Sequence, residues 1–143
     1  MLKIKKFKPM FTSILVTGNK YTEDMYDDHG LIENKMGDLK TYQTVLEVGP
    51  SVRDINVGDQ VMINVMHFAV MQYDPNSVKN DMGMNKIKEF RFNWVTVDDE
   101  QGNPQECLLI DQQDILFAFE GNEVQGTKNP IILPKDKKII IGS

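Results

Sequence analysis

The sequence is poor in the residues that build most catalytic and metal centres. Cys107 is the only cysteine, and His29 and His67 are the only histidines among 143 residues. A single cysteine excludes an intrachain disulfide and a zinc site made of several cysteines from one chain. Two histidines leave few members for a Ser-His-Asp or Cys-His arrangement, and Cys107, inside an apolar run, is interpreted as a small buried hydrophobic residue. The chain is therefore predicted to be nonenzymatic, with no cofactor and no metal.

Long apolar runs, an excess of positive charge and a phosphate-binding motif are also missing. No stretch approaches a bilayer span, and no hydrophobic segment of secretory length follows the lysine-rich start. The formal net charge of -5 argues against broad binding to a nucleic-acid backbone, which normally needs a basic face. Neither Gly18 nor Gly58 is followed by the Gly-Lys-Ser/Thr pattern of a phosphate loop. These absences predict a cytoplasmic protein without a membrane or nucleic-acid partner.

The composition and the spacing of apolar residues predict a single domain rich in strands. Hydrophobic residues at 41% and charged residues at 26% are typical of a soluble globular protein of one domain. The clearest segment is 41–64, TYQTVLEVGPSVRDINVGDQVMIN, in which residues 42–48 alternate between two sides as a half-buried strand does. A turn signal ends this strand at Gly49, and another at Gly58 precedes a second strand.

Further short strands separated by turn signals are predicted along the chain. They are residues 11–17, 89–97, 105–110 and 115–119, with a small tail hairpin centred on 134–136. The strands at 89–97 and 105–110 are predicted to form a hairpin, because the acidic segment between them, Asp98, Asp99 and Glu100 with Gly102, is a strong turn signal. With no convincing amphipathic helix, the chain is predicted to be an all-β barrel or sandwich.

Residues 20–40 differ from the segments around them. Their apolar side chains are scattered among acidic and small residues with neither a strand nor a helix period. Long loops inside compact domains are uncommon and often functional, so this loop is the first place to expect a partner site. Five of its side chains can gather a hard cation, but their spacing matches no calcium loop and favours an acidic, solvated loop. They are Glu23, Asp24, Asp27, Asp28 and His29.

Two other features have both a structural and a functional interpretation. His67 lies in an apolar run and is interpreted as a packed core histidine in preference to a ligand or a base. The stripe of Phe90, Phe92 and Trp94 can stack bases as in oligonucleotide-binding barrels, but the acidic balance favours packing in the core or at a subunit interface.

The order of several motifs resembles the GroES-type co-chaperonin family. The matching segments are Lys8-Pro9-Met10, Ile14-Leu15-Val16, Gly30-Leu31-Ile32, Val45-Leu46-Glu47-Val48-Gly49, Val57-Gly58-Asp59-Gln60-Val61 and Asp114-Ile115-Leu116-Phe117. Each motif alone is weak, since V-G-D-x-V also begins strands in the GroES-like domain of medium-chain alcohol dehydrogenases. Their shared order carries the resemblance, which covers residues 8–120.

The resemblance implies a small irregular GroES-like β-barrel with a long mobile loop, an inserted β-hairpin region and a C-terminal extension at 121–143. It implies a homo-oligomer, typically a heptameric ring, that caps a chaperonin cylinder and assists protein folding, while the chaperonin itself binds ATP. In that family the mobile loop carries a short hydrophobic tripeptide that docks in a groove of the chaperonin. The tripeptide corresponds here to Leu31, Ile32 and Glu33, which follow Gly30.

The sequence also departs from the family pattern. Glu33 stands where the family usually has an aliphatic residue, and residues 49–57 leave no room for the hairpin that forms the dome's roof in bacterial members. That hairpin is also lost among phage-encoded relatives, which the chain resembles in this respect. The expected location is the host cytoplasm, or a virion if the chain is phage-encoded. The alternative function is a structural or assembly component built on the same barrel without chaperonin capping. A nucleic-acid-binding barrel is a third, weaker alternative.

Overall fold

A computed structural model describes residues 1–73 and 85–126. Within these ranges the chain forms strands and two short 3-10 helices, and no α-helix. The strands are β1 (Ser13–Thr17), β2 (Met25–Tyr26), β3 (Ile32–Asn34), β4 (Tyr42–Val48), β5 (Gln60–Ile63), β6 (Ala69–Tyr73), β7 (Asn85–Phe90), β8 (Trp94–Asp98), β9 (Pro104–Asp111) and β10 (Ile115–Phe119). The helices are Val65–Phe68 and Gln112–Asp114. The predicted all-β class is confirmed, and no helix in the described ranges is long and apolar enough to cross a membrane.

The chain divides into two compact units. One unit contains Met1–Gly18 and Thr41–Glu120, and the other contains Asn19–Lys40 and Gly121–Ser143. The first unit holds the main sheet, and the second holds the predicted partner loop. A single GroES-like domain with a core at 8–120 stays a prediction, and the tail hairpin predicted at 134–136 lies outside the described residues.

The main sheet has six strands in the order β10-β5-β4-β1-β9-β8. Neighbouring strands run antiparallel throughout. β10 and β8 are its two edges, so among the described residues this sheet is open and does not close into a barrel. At the β8 edge, Ile4 forms a parallel bridge with Val97, and the Asp98 N–H donates to the Ile4 carbonyl at 2.8 Å.

The core of the first unit lies at the centre of the main sheet. The most buried side chains are Ile14, Leu15, Val16, Val45, Val61, Cys107 and Leu108. Three of them are consecutive in β1, which means that both faces of the sheet are covered there. A buried polar pair sits beside them: the Thr17 hydroxyl donates to Gln43 Oε1 at 2.8 Å and accepts from the Thr44 N–H at 3.0 Å. Both groups are therefore satisfied where water is excluded.

The segment 41–64 folds as its alternation predicts. β4 and β5 pair antiparallel, with Gln43 opposite Val61, and no strand forms between them. Gly58 has a φ of 96°, which favours glycine, and its N–H donates to the Val45 carbonyl at 2.8 Å. The short connection predicted here is confirmed.

The aromatic stripe folds differently from its prediction. A single strand over 89–97 is wrong, because the chain leaves one sheet after Phe90 and enters another at Trp94. Between them Phe92 packs against Phe68 and Phe90, with ring centroids 4.9 Å and 6.4 Å away. These ring contacts fix Phe92 between β7 and β8, where the chain forms no strand. β7 therefore pairs with β6 in a separate hairpin, while β8 pairs with β9 through the predicted acidic turn.

Candidate functional site

The predicted partner loop, residues 20–40, contains a small hairpin. Sequence reasoning found no strand here, yet β2 and β3 pair, with Met25 opposite Asn34 and Tyr26 opposite Ile32. The base of the loop is closed by a bridge between Lys20 and Leu39. These backbone contacts set a defined path for the segment, and its mobility stays a prediction.

The tip of the hairpin is built on Asp27. Its carboxylate accepts the His29 N–H at 2.8 Å and the Leu31 N–H at 3.0 Å, and its own N–H donates to the Leu31 carbonyl at 2.9 Å. Gly30 has a φ of 79°, so its role is to make this turn possible. The hydrogen bonds from the Leu31 N–H and the His29 N–H lower the pKa of the Asp27 carboxyl, and the bond from Leu31 has the larger effect. The ionised Asp27 carboxylate therefore stabilises the turn. This stabilisation is fully present above the ordinary pKa of 3.8 and is lost as the pH falls through the lowered pKa of Asp27.

The turn presents two large apolar side chains to solvent. Leu31 is 66% exposed and Ile32 is 50% exposed. Glu33 is exposed too, but successive side chains of a strand point to opposite faces, so Glu33 faces away from Ile32. The pKa of Tyr21 is raised chiefly by burial and further by the negative charges of Glu123, Glu33 and Asp38. The four predicted residues thus comprise a turn glycine, two exposed apolar side chains and an exposed carboxylate.

The segment 121–126 contacts the same hairpin. Gln125 bonds to the backbone of β2, and the Gly126 N–H donates to the Tyr26 carbonyl at 2.9 Å. Glu123 forms an ion pair with Lys40 at 2.8 Å. Sequence reasoning missed these residues, because their partners lie about a hundred positions away and no local pattern marks the pairing.

Three acidic side chains of the loop, Asp24, Asp27 and Asp38, accept backbone N–H groups. Asp27 accepts at the tip, and Asp24 Oδ1 accepts the Met36 N–H at 2.8 Å. Among the described residues, no three His, Cys, Asp or Glu side chains are grouped so that they could hold a metal ion. These three carboxylates act as turn and loop acceptors, which is the usual role of aspartate in such segments.

His67 is not a core residue, so that prediction is wrong. Its side chain is 45% exposed, and its Nδ1 lies 2.8 Å from Asp114 Oδ1. It is in the first 3-10 helix, which begins after Asn64, and the Asn64 side chain caps that helix and lies 3.1 Å from His67 Nε2. The apolar run suggested burial, but the chain turns to the surface there. The contact ties the two 3-10 helices together.

Cys107 is fully buried in β9, as its apolar surroundings predict. Burial raises the pKa of its thiol, so the thiolate that would act as a nucleophile is disfavoured at neutral pH. We expect a charged disulfide reagent at pH 7 to modify the native protein at least about a hundredfold more slowly than the denatured protein. The absorbance of the thiolate that the reagent releases, followed over time with and without denaturant, gives the two modification rates. Equal rates would show that the thiol is accessible.

No protein-family model matches this chain, and a comparison with curated proteins finds no significant match.

Proposed function

We propose that the chain is a co-chaperonin that caps a chaperonin cylinder through the exposed tip of its β2–β3 hairpin. In this proposal the main sheet belongs to a GroES-like barrel, the protein assembles as a homo-oligomeric ring, typically a heptamer, and the chaperonin binds the ATP. The protein carries no chemistry of its own. It acts in the cytoplasm of a host, or is located in a virion if it is phage-encoded.

The observation that carries the proposal is the exposure of Leu31 and Ile32 at a hydrogen-bonded turn. Large aliphatic side chains are usually buried, and adjacent exposed ones at a hairpin tip fit an apolar groove on a partner. They occupy the positions at which the resembled family carries its docking tripeptide. The hairpin belongs to the second compact unit, Asn19–Lys40 and Gly121–Ser143.

The energetics favour an assembly of several loops over one. Burying Leu31 and Ile32 contributes about 1.5–3 kcal/mol each, while ordering a flexible segment on binding costs about 2–5 kcal/mol. A single loop therefore binds weakly. A ring that engages several loops at once binds tightly through effective concentration and can still be released by a small change at each site.

Glu33 is compatible with such docking. A carboxylate is expensive to bury in an apolar groove, which is the objection raised by its position in the sequence. Because successive side chains of a strand alternate, Glu33 faces away from Ile32, so Ile32 can enter a groove while the carboxylate stays in water. The departure from the family pattern then lies on the face of β3 opposite Ile32.

Two measurements on the wild-type protein test the proposal. Native mass spectrometry is expected to give a ring, and a pull-down with a chaperonin is expected to retain the protein only when ATP is present. A monomer or a dimer, together with no retention in a pull-down whose control co-chaperonin binds, would reject the proposal.

A second candidate is a structural or assembly component, such as a virion protein. The β6–β7 hairpin favours it, since Met71 and Ile87 lie opposite each other and are 48% and 43% exposed, with Phe90 beside them at 44%. An apolar face on a hairpin outside the main sheet suits a permanent neighbour in a complex. The native mass separates the two candidates. A ring with the same symmetry as a chaperonin favours the co-chaperonin, and any other oligomeric state favours the structural component.

A further inference from the structure

We propose that Gln125 and Gly126 are positioning residues for the hairpin that carries Leu31 and Ile32. They belong to the strap, residues 121–126, which occupies the outer edge of β2. The consequence for a chaperonin rests on the proposed function, but the positioning itself is a property of the free protein.

Gln125 acts towards β2 as a neighbouring strand would. Its Oε1 accepts the Tyr26 N–H at 2.7 Å, and its Nε2 donates to the Asp24 carbonyl at 2.9 Å. One side-chain amide thus satisfies a backbone donor and a backbone acceptor on the edge that β3 does not use. Unpaired strand edges are costly when shielded from water, so this contact stabilises β2 in its extended form.

Gly126 continues the contact with its backbone. Its N–H donates to the Tyr26 carbonyl at 2.9 Å, and the approach is so close that a Cβ would lie 2.1 Å from the Asp27 carbonyl oxygen and 2.4 Å from that of Tyr26. Both obstacles are backbone atoms, which cannot rotate aside. Only glycine fits this position without moving the strap or the hairpin.

The strap is also tied to the base of the loop. Glu123 Oε2 lies 2.8 Å from Lys40 Nζ, and the two side chains are 36% and 21% exposed. The Lys40 ammonium in turn lies 5.3 Å from the centre of the Tyr21 ring. The strap therefore contacts the loop both at its base and at β2.

Two residues, Tyr26 and Asp27, connect the strap to the positions of Leu31 and Ile32. Tyr26, held by the strap on one side, lies opposite Ile32 on the other. Asp27, which Gly126 touches, makes the turn that presents Leu31. A two-stranded hairpin is marginally stable in water by itself, so a third partner on its edge shifts the hairpin towards the ordered form. The strap thereby lowers the ordering cost of docking.

Amide hydrogen exchange of the free 143-residue chain, resolved by NMR, tests the positioning. The decisive amides are those of Asp27 and Leu31, because they bond within the hairpin and not to the strap. Gly126→Ala and Gln125→Ala are each expected to speed their exchange by roughly tenfold or more. The matched control is Asn122→Ala, at an exposed strap position, which is expected to leave both rates unchanged. Exchange in β1 reports the main sheet and is expected to stay unchanged in all three variants.

Unchanged exchange of Asp27 and Leu31 in both Gly126→Ala and Gln125→Ala would overturn the proposal, as would equal acceleration in Asn122→Ala. With a chaperonin and ATP, Gly126→Ala is expected to bind about tenfold or more weakly than wild type although Leu31 and Ile32 are intact. If the wild type itself fails to bind while the variants exchange faster, the proposed function fails and the positioning stands. If the wild type binds and the variants neither bind more weakly nor exchange faster, only the positioning fails.

Discussion

Replacing Leu31 and Ile32 together with serine is expected to abolish ATP-dependent retention on a chaperonin while leaving the fold unchanged. Both side chains are at least half exposed, so folding gains little from them. Docking, in contrast, would lose about 1.5–3 kcal/mol for each, which corresponds to roughly a hundredfold or more per loop and multiplies across a ring. Pull-down with ATP measures the loss, and circular dichroism with native mass measures the fold and assembly.

The control for this variant is Val57→Ser, which removes a side chain that is 58% exposed in the other unit. It changes surface hydrophobicity in the same direction and is expected to leave chaperonin binding intact. If the Leu31 and Ile32 double variant binds as well as Val57→Ser does, the hairpin tip is not the docking site, even if the wild-type protein is a ring.

Leu108→Ala is expected to cause a large loss of stability. Leu108 is 0% exposed and lies in β9 opposite Val16 on one side and Trp94 on the other. Removing a buried leucine side chain leaves a cavity and typically costs about 2–5 kcal/mol. That is a large fraction of the free energy of unfolding of a small domain, about 5–15 kcal/mol. Urea denaturation followed by tryptophan fluorescence at Trp94 measures the change.

Leu109→Ala supplies the comparison for Leu108→Ala. It makes the same substitution at the next position of the strand, where the side chain is only partly buried. Its destabilisation is expected to be less than half as large, because the site can be refilled by water. Equal losses for Leu108→Ala and Leu109→Ala would mean that the two faces of β9 are packed to the same extent.

The parts of the fold that the sequence predicted correctly are those set by local chemistry. The alternation at 42–48 and the glycine turn at Gly58 specify β4 and β5 through their own residues. The acidic turn after β8 is equally local, since Asp99 accepts the N–H groups of Gln101 and Asn103 at 2.9 Å and 2.8 Å. Such signals need no knowledge of the rest of the chain.

The parts that were missed depend on distant partners. Phe92 breaks the aromatic stripe because it packs against Phe68, and His67 is held at the surface by Asp114, 47 positions away. The hairpin within the candidate loop was hidden for the same reason, since β2 has only two residues and its outer edge is completed by Gln125. The exposed pair Leu31 and Ile32 was found only because it resembles a known motif.

The burial of Cys107 makes the protein convenient for spectroscopic labelling. The only native thiol is fully buried and has a raised pKa, so a cysteine introduced on the surface can be modified selectively without first removing Cys107. Asp28 is exposed beside the hairpin turn, and Asp28→Cys would place one fluorophore per chain next to Leu31. Anisotropy of that dye would follow the hairpin tip directly, free and in the presence of a partner, with Leu31 and Ile32 unaltered.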